Sequence, residues 1–216
     1  VDPQELLGLS EEGAALVHRL GLLESDLVLL MPVRVTQAKN IEYALQVVAT
    51  LAALDLRPKL ILTGPPDPHD AASMAYFEEL RALRGQLGLD VEMRFVFESG
   101  PQAGQPYTIG AQVVGDLLRV SDAMFMPSHR EGFAMPILEA GLAGVPVVST
   151  DVPAAVEIGG HEVLLFDAAD EPAHVAGQLL NWIQEQPQYR LRRRVRQRYT
   201  WDAIFRRDIK PLLGEA

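Results

Sequence analysis

Apolar residues along this chain fall into two spacings. Short aliphatic runs at Leu27–Met31, Lys59–Leu62, Glu92–Phe97, Ala123–Met126, Val145–Ser149 and Val163–Phe166 read as buried strands. The segments between them repeat with helical period. Ile41–Leu54 sets Leu45, Val48, Ala49 and Ala52 on one face, and Ala71–Leu87 does the same with Phe77, Leu80, Leu83 and Leu87. Ile109–Val120, Pro136–Ala143 and Pro172–Glu185 supply further helices. The first 25 residues read as an extended lead-in and a helix over Glu11–Leu20. The tail reads as two helices, the last opened by Trp201 with Thr200 as its cap.

Strand–helix alternation repeated this often implies an α/β fold: a doubly wound, Rossmann-like, six-stranded parallel sheet with helices on both faces, plus C-terminal helices. Ligands of such sheets bind outside the carboxyl ends of the strands, where the strand order reverses. Chemistry is therefore expected in the loops Pro32–Asn40, Thr63–Asp70, Glu98–Thr108, Pro127–Met135 and Thr150–Val156. Glu98–Thr108 is the most turn-like of these and long for a connection.

Composition narrows the function. The 216 residues are 48% hydrophobic and 22% charged, the balance of one soluble globular domain with terminal helices. A net charge of −10 disfavours nucleic acid as a partner, since that needs a basic surface. The one basic run, Arg190–Arg198, reads as a solvated helix face over a buried stripe of Leu191 and Val195. There is no cysteine, and His18, His69, His129, His161 and His174 lack metal-site spacing, so no metal ligand set is expected. No apolar run reaches the roughly 18–20 residues of a membrane span, and Val1-Asp2-Pro3-Gln4-Glu5 is not a signal peptide. A cytoplasmic location is expected; membrane association is left open and not indicated. The absence of an initiator Met fits a processed product or a piece of something longer.

The informative stretch runs Pro127-Ser128-His129-Arg130-Glu131-Gly132-Phe133-Ala134-Met135-Pro136-Ile137-Leu138-Glu139-Ala140. A strand ends, a polar loop follows, and Pro136 starts a helix where its missing N–H costs nothing. Backbone amides from Phe133 to Ile137 would form an anion site reinforced by the helix dipole, suited to phosphate. Glu139 stands on an otherwise apolar helix and must be paired, exposed or ligand-facing. Two ribose hydroxyls would suit it, and Glu131 could accept from the hydroxyls of a sugar attached to the phosphates. On spacing alone, two glutamates eight apart are as easily a plain strand–turn–helix. The first strand's loop, Pro32-Val33-Arg34-Val35-Thr36-Gln37-Ala38-Lys39-Asn40, offers two cations, Arg34 and Lys39, that could neutralise a diphosphate.

Together these motifs resemble the retaining glycosyltransferases of family four, of GT-B architecture. The Glu131-x7-Glu139 signature, the following Gly144-Val145-Pro146-Val147-Val148 and the Pro32-x-Arg34-x4-Lys39-Asn40-Ile41-Glu42 element carry the resemblance over roughly residues 20–212. It implies that Glu139 binds the donor ribose and that Glu131 contacts the donor sugar near its reacting carbon. Gly132, Phe133, Ala134, Met135 and Ile137 would line the diphosphate or sugar, and Arg34 and Lys39 would stabilise the leaving group. Gly64 and Phe97, at the next two strand ends, would lie near the nucleotide, Phe97 beside its base. No metal or other cofactor is implied; the donor substrate is a nucleoside-diphosphate sugar, UDP- or GDP-linked. Two positions depart from the pattern, since Val33 and Ala134 stand where glycine is usual.

The resemblance also divides the chain. Residues 1–25 become an interdomain linker and lead-in helix. Residues 26–186 form the donor-binding domain, and 187–216 are helices packing on it or toward an N-terminal domain that binds the acceptor. Such a fragment binds donor without transferring it. A dinucleotide-binding oxidoreductase is disfavoured because the first loop has no glycine, and a P-loop because no Gly-x4-Gly-Lys is present. A non-catalytic nucleotide-sugar module, or a GT-B epimerase or phosphorylase-like enzyme, stays open.

Overall fold

The computed structural model describes residues 1–54 and 56–213. The expected six strands are present, as β1 (Leu27–Met31), β2 (Pro58–Leu62), β3 (Met93–Phe95), β4 (Ala123–Met126), β5 (Val147–Thr150) and β6 (Leu164–Phe166). They form one parallel sheet in the order β3-β2-β1-β4-β5-β6. The order reverses between β1 and β4, so the loops leaving those two strands flank the switch point.

β1 explains how a strand can be apolar throughout. Leu27, Leu29 and Met31 pack into one core with helices α3 (Ile41–Ala53), α4 (Ala71–Gln86) and α8 (Pro172–Glu185). Val28 and Leu30 point to the other face, into a core with α2 (Glu11–Leu20), α5 (Ala111–Val120), α6 (Met135–Ala143) and α7 (Pro153–Gly159). Alternate side chains thus enter opposite cores, and each must be hydrophobic.

Four expectations are corrected. The lead-in is not extended: Pro3–Leu7 forms α1, capped by the Asp2 carboxylate and closed by left-handed Gly8. Third, fifth and sixth strands are shorter or shifted, and Val96–Glu98 tightens into a 3-10 turn. Thr150–Val156 is not all loop, because Pro153 opens α7.

The fourth correction concerns the arginine run, which lies on α9 (Pro187–Arg198). Leu191 is exposed, whereas Arg196 is buried. Arg196 Nη2 donates to the buried Asp122 carboxylate at 2.7 Å, and the same oxygen accepts Val28 N–H at 2.9 Å. Arg192 donates to the Ser121 carbonyl. A second carboxylate, Asp26, accepts from Arg57, Arg193 and Gln197. Burial opposes the Asp26 charge, but Arg57 hydrogen bonds with the Arg57 and Arg193 charges outweigh it and hold the carboxyl below its usual value. α9 is therefore bolted to the amino ends of β1 and β4 by charge.

Thr200 caps α10 (Trp201–Ile204) as expected, its hydroxyl accepting Ala203 N–H. The helical path continues through Phe205–Ile209 and Lys210–Leu213. The last three residues of the expected C-terminal segment lie outside the described residues. No described helix is long and apolar enough to cross a membrane.

Candidate functional site

The loops after β1 and β4 meet at the switch point. Lys39 closes a 3-10 turn, Gln37–Lys39, and its Nζ donates to Glu131 Oε1 at 2.7 Å. The same oxygen accepts the Ser128 hydroxyl at 2.6 Å. The backbones are also joined: His129 N–H donates to the Ala38 carbonyl at 2.9 Å. Thr150, at the end of β5, donates its hydroxyl to the Ser128 carbonyl at 2.6 Å. The Glu131 side chain is only 6% exposed, although it belongs to an irregular loop.

Arg34 is exposed and makes no ion pair or hydrogen bond through its side chain among the described residues. Its backbone is held closely. Gly64 N–H donates to the Val33 carbonyl at 3.0 Å. A Cβ on Gly64 would lie 2.4 Å from that oxygen and 2.7 Å from the Arg34 backbone. Glycine is needed there for approach, not for an unusual dihedral. Gly64→Ala is expected to push the Arg34 loop outward and to cost about 1–3 kcal/mol by overpacking, as urea unfolding would read. Val33 faces inward and is buried.

α6 begins after Ala134, which holds φ +51° and ψ +42°. Left-handed backbone costs an L-residue with a Cβ roughly 1–2 kcal/mol, so glycine would suit this position better than the alanine it carries. The Ala134 methyl is buried in the second core. Ile137 departs from expectation: its N–H is spent on the Ala134 carbonyl at 2.9 Å. The amides of Gly132, Phe133, Ala134 and Met135 donate to nothing among the described residues. Phe133 and Met135 are exposed apolar side chains at this rim. Glu139 is exposed on α6, without a partner among the described residues. Of the three options open to it, pairing is excluded among the described residues, and its exposure leaves it free to face a ligand.

Phe97 lies in the 3-10 turn that follows β3, on the far side of β2 from β1. Its ring packs edge-on against Phe77, and its carbonyl accepts Tyr107 N–H at 2.9 Å. Glu98 is bound to Arg81 and Arg84. His129 is an exposed rim residue. Ser128 and Thr150 were not singled out from the sequence. Their signal was a hydroxyl at each of two buried strand ends.

A cavity of about 810 Å³ lies elsewhere. It is lined by Asp122, Pro146 and Val163, just before β4, β5 and β6, and by Leu138, Leu142 and Trp182. It opens at the amino edge of the sheet, opposite the switch-point loops.

Residues 16–199 match the family described as glycosyl transferases group 1. A D-inositol 3-phosphate glycosyltransferase from Streptomyces avermitilis is 32% identical over 182 residues, covering 74% of this chain and 36% of that protein. The chain thus spans about a third of the length of that relative. Anabaena Alr3699/HepE, solved with UDP and glucose, is similar with a TM-score of 0.63 at 20% identity, over 95% of this chain and 52% of that one. The C-terminal domain of LpcC, a group 1 glycosyl transferase from Francisella tularensis, gives a TM-score of 0.60 at 19% identity, over 96% and 97%. The match spans both switch-point loops, and the chain belongs to the glycosyl transferases group 1 family.

Proposed function

We propose that the chain is the donor-binding half of a retaining glycosyltransferase and holds a nucleoside-diphosphate sugar at the β1–β4 switch point. The observation that carries this is the pairing of Lys39 with Glu131 at the switch point, beside the unpaired amides that lead into α6, with Arg34 exposed on the same loop as Lys39. Arg34, Lys39 and those amides offset charge growing on the diphosphate as the bond to the sugar's anomeric carbon breaks. Glu131 accepts from sugar hydroxyls, and Glu139 from the ribose. Cationic side chains do this without a divalent metal. Structures of HepE with UDP and with UDP-glucose support the ligand class.

In this reading the acceptor is a hydroxyl compound bound mainly by a further domain. The exposed apolar series Trp201, Phe205, Ile209 and Leu212 supports such a partner. Residues 1–25 then form the linker and a lead-in helix that packs on the donor domain, 26–186 the donor domain itself, and the segment from 187 helices that pack on it through α9 and reach toward the further domain beyond. Alone, the 216 residues bind donor and transfer nothing.

Calorimetry with UDP, GDP and ADP and their sugars, with EDTA present, tests the reading. At least one should bind, and Glu139→Ala should lose about 1–3 kcal/mol of affinity. No binding of any nucleoside diphosphate would overturn the donor site, and equal binding by the variant would remove Glu139 from it.

A further inference from the structure

We propose that Ser128 and Thr150 are positioning residues that hold Glu131 for its contact with the donor sugar, an inference that rests on the donor-site reading above. Glu131 follows four irregular residues, 127–130, and precedes Gly132, so its own backbone does little to aim it. Its side chain is nevertheless buried and directed. Oε1 accepts both Lys39 Nζ, at 2.7 Å, and Ser128 Oγ, at 2.6 Å. Oε2 accepts nothing among the described residues. A carboxylate whose first oxygen is occupied by two donors presents the second to a ligand, and an ionised carboxylate can only accept. The ligand must then bring a donor, as a sugar hydroxyl does.

Lys39 and Ser128 differ as anchors. Lys39 ends a flexible side chain that is 21% exposed, and the diphosphate competes for its charge. Ser128 is 1% exposed, and its peptide is fixed at both atoms. The Ser128 carbonyl accepts the Thr150 hydroxyl at 2.6 Å, and the following N–H, of His129, donates to the Ala38 carbonyl at 2.9 Å. Thr150 is fully buried at the end of β5, and its β-branched side chain has a stiff χ1. Its hydroxyl stands 3.4 Å from the Met126 carbonyl, so its one proton serves Ser128. Buried hydroxyls are costly unless satisfied, and a connected set of them specifies one geometry. Here the set runs from the rigid sheet to one carboxylate oxygen. When the diphosphate engages Lys39, Ser128 remains to keep Glu131 on the sugar.

The readout is the affinity of the 216-residue chain for UDP-glucose, GDP-mannose or ADP-glucose relative to the matching nucleoside diphosphate. Losing a hydrogen bond to a charged group costs about ten- to a hundredfold in affinity. Ser128→Ala and Thr150→Val loosen the Glu131 contact rather than abolish it and are each expected to shift this ratio about tenfold against the sugar-bearing ligand. Affinity for the diphosphate alone should stay within about twofold, and Thr150→Ser should restore the ratio, because it restores the hydroxyl. In a Glu131→Ala background Ser128→Ala should have no further effect, a non-additivity that general loosening would not produce. If Thr150→Val does not fold, Ser128→Ala with its cycle decides alone. An unchanged ratio in Ser128→Ala, or additive effects in the cycle, overturns the inference and leaves the donor site standing. Wild type that binds no nucleoside diphosphate overturns both.

Discussion

Replacing Asp122 by alanine is expected to lower stability by about 3–5 kcal/mol, as for other buried ion pairs left with one partner. Asp122 is fully buried between the amino end of β4 and α9, and one of its oxygens takes both Val28 N–H and Arg196 Nη2. Its loss strands a guanidinium whose side chain is 5% exposed and an amide of the central strand. Arg196 already has Nε and Nη1 buried without partners. Little slack therefore remains for it to find a new acceptor. For a domain stable by about 5–15 kcal/mol, such a loss is a large share of the total. Urea unfolding reads it directly. Asp122→Asn combined with Arg196→Met should cost less than Asp122→Ala, since an acceptor for Val28 stays and the buried Arg196 charge goes, leaving only the part-exposed Arg192. A loss below about 1 kcal/mol for Asp122→Ala would show that α9 is held by its apolar contacts instead.

Arg34→Ala is the second large effect expected, and it falls on activity. In a two-domain transferase carrying this chain it should lower kcat by about 10²–10³, the range seen when one preorganised donor to a developing negative charge is removed. Arg34 is exposed, its side chain free of partners among the described residues, so its removal should leave stability nearly unchanged. Lys39 is less clean to test, because Lys39→Ala also frees Glu131. Arg34→Lys should recover only part of the rate, as an ammonium lacks the planar fork. Activity within about threefold of wild type in Arg34→Ala would remove Arg34 from charge stabilisation.

What the sequence disclosed follows from where the determining contacts lie. β1 and α3 were legible because their burial is written in consecutive residues. α1 was missed because it fully buries none of its residues and rests mainly on its caps, Asp2 and Gly8, with only Leu7 against the second core. α7 was missed because its seven residues, including Ala154, Ala155 and Gly159, are too few and too small for a clear period. The arginines of α9 were misread because their partners, Asp26 and Asp122, are distant in sequence. At the site, Glu131, Arg34 and Lys39 were legible as a motif, and the Lys39–Glu131 pair gives that motif a geometry. Thr150 was not legible, since only folding brings it against Ser128. Ala134 was noticed as a missing glycine; its φ of +51° supplies the cause.

The donor-site account is tested most directly by mapping where a nucleoside diphosphate binds, from backbone amide shifts of the labelled 216-residue chain titrated with UDP, GDP and ADP. The account predicts the largest shifts at Arg34, Gly64 and Gly132 to Met135, around the switch point. Shifts centred instead on Leu138, Leu142, Val163 and Trp182, around the cavity at the amino edge of the sheet, would contradict it.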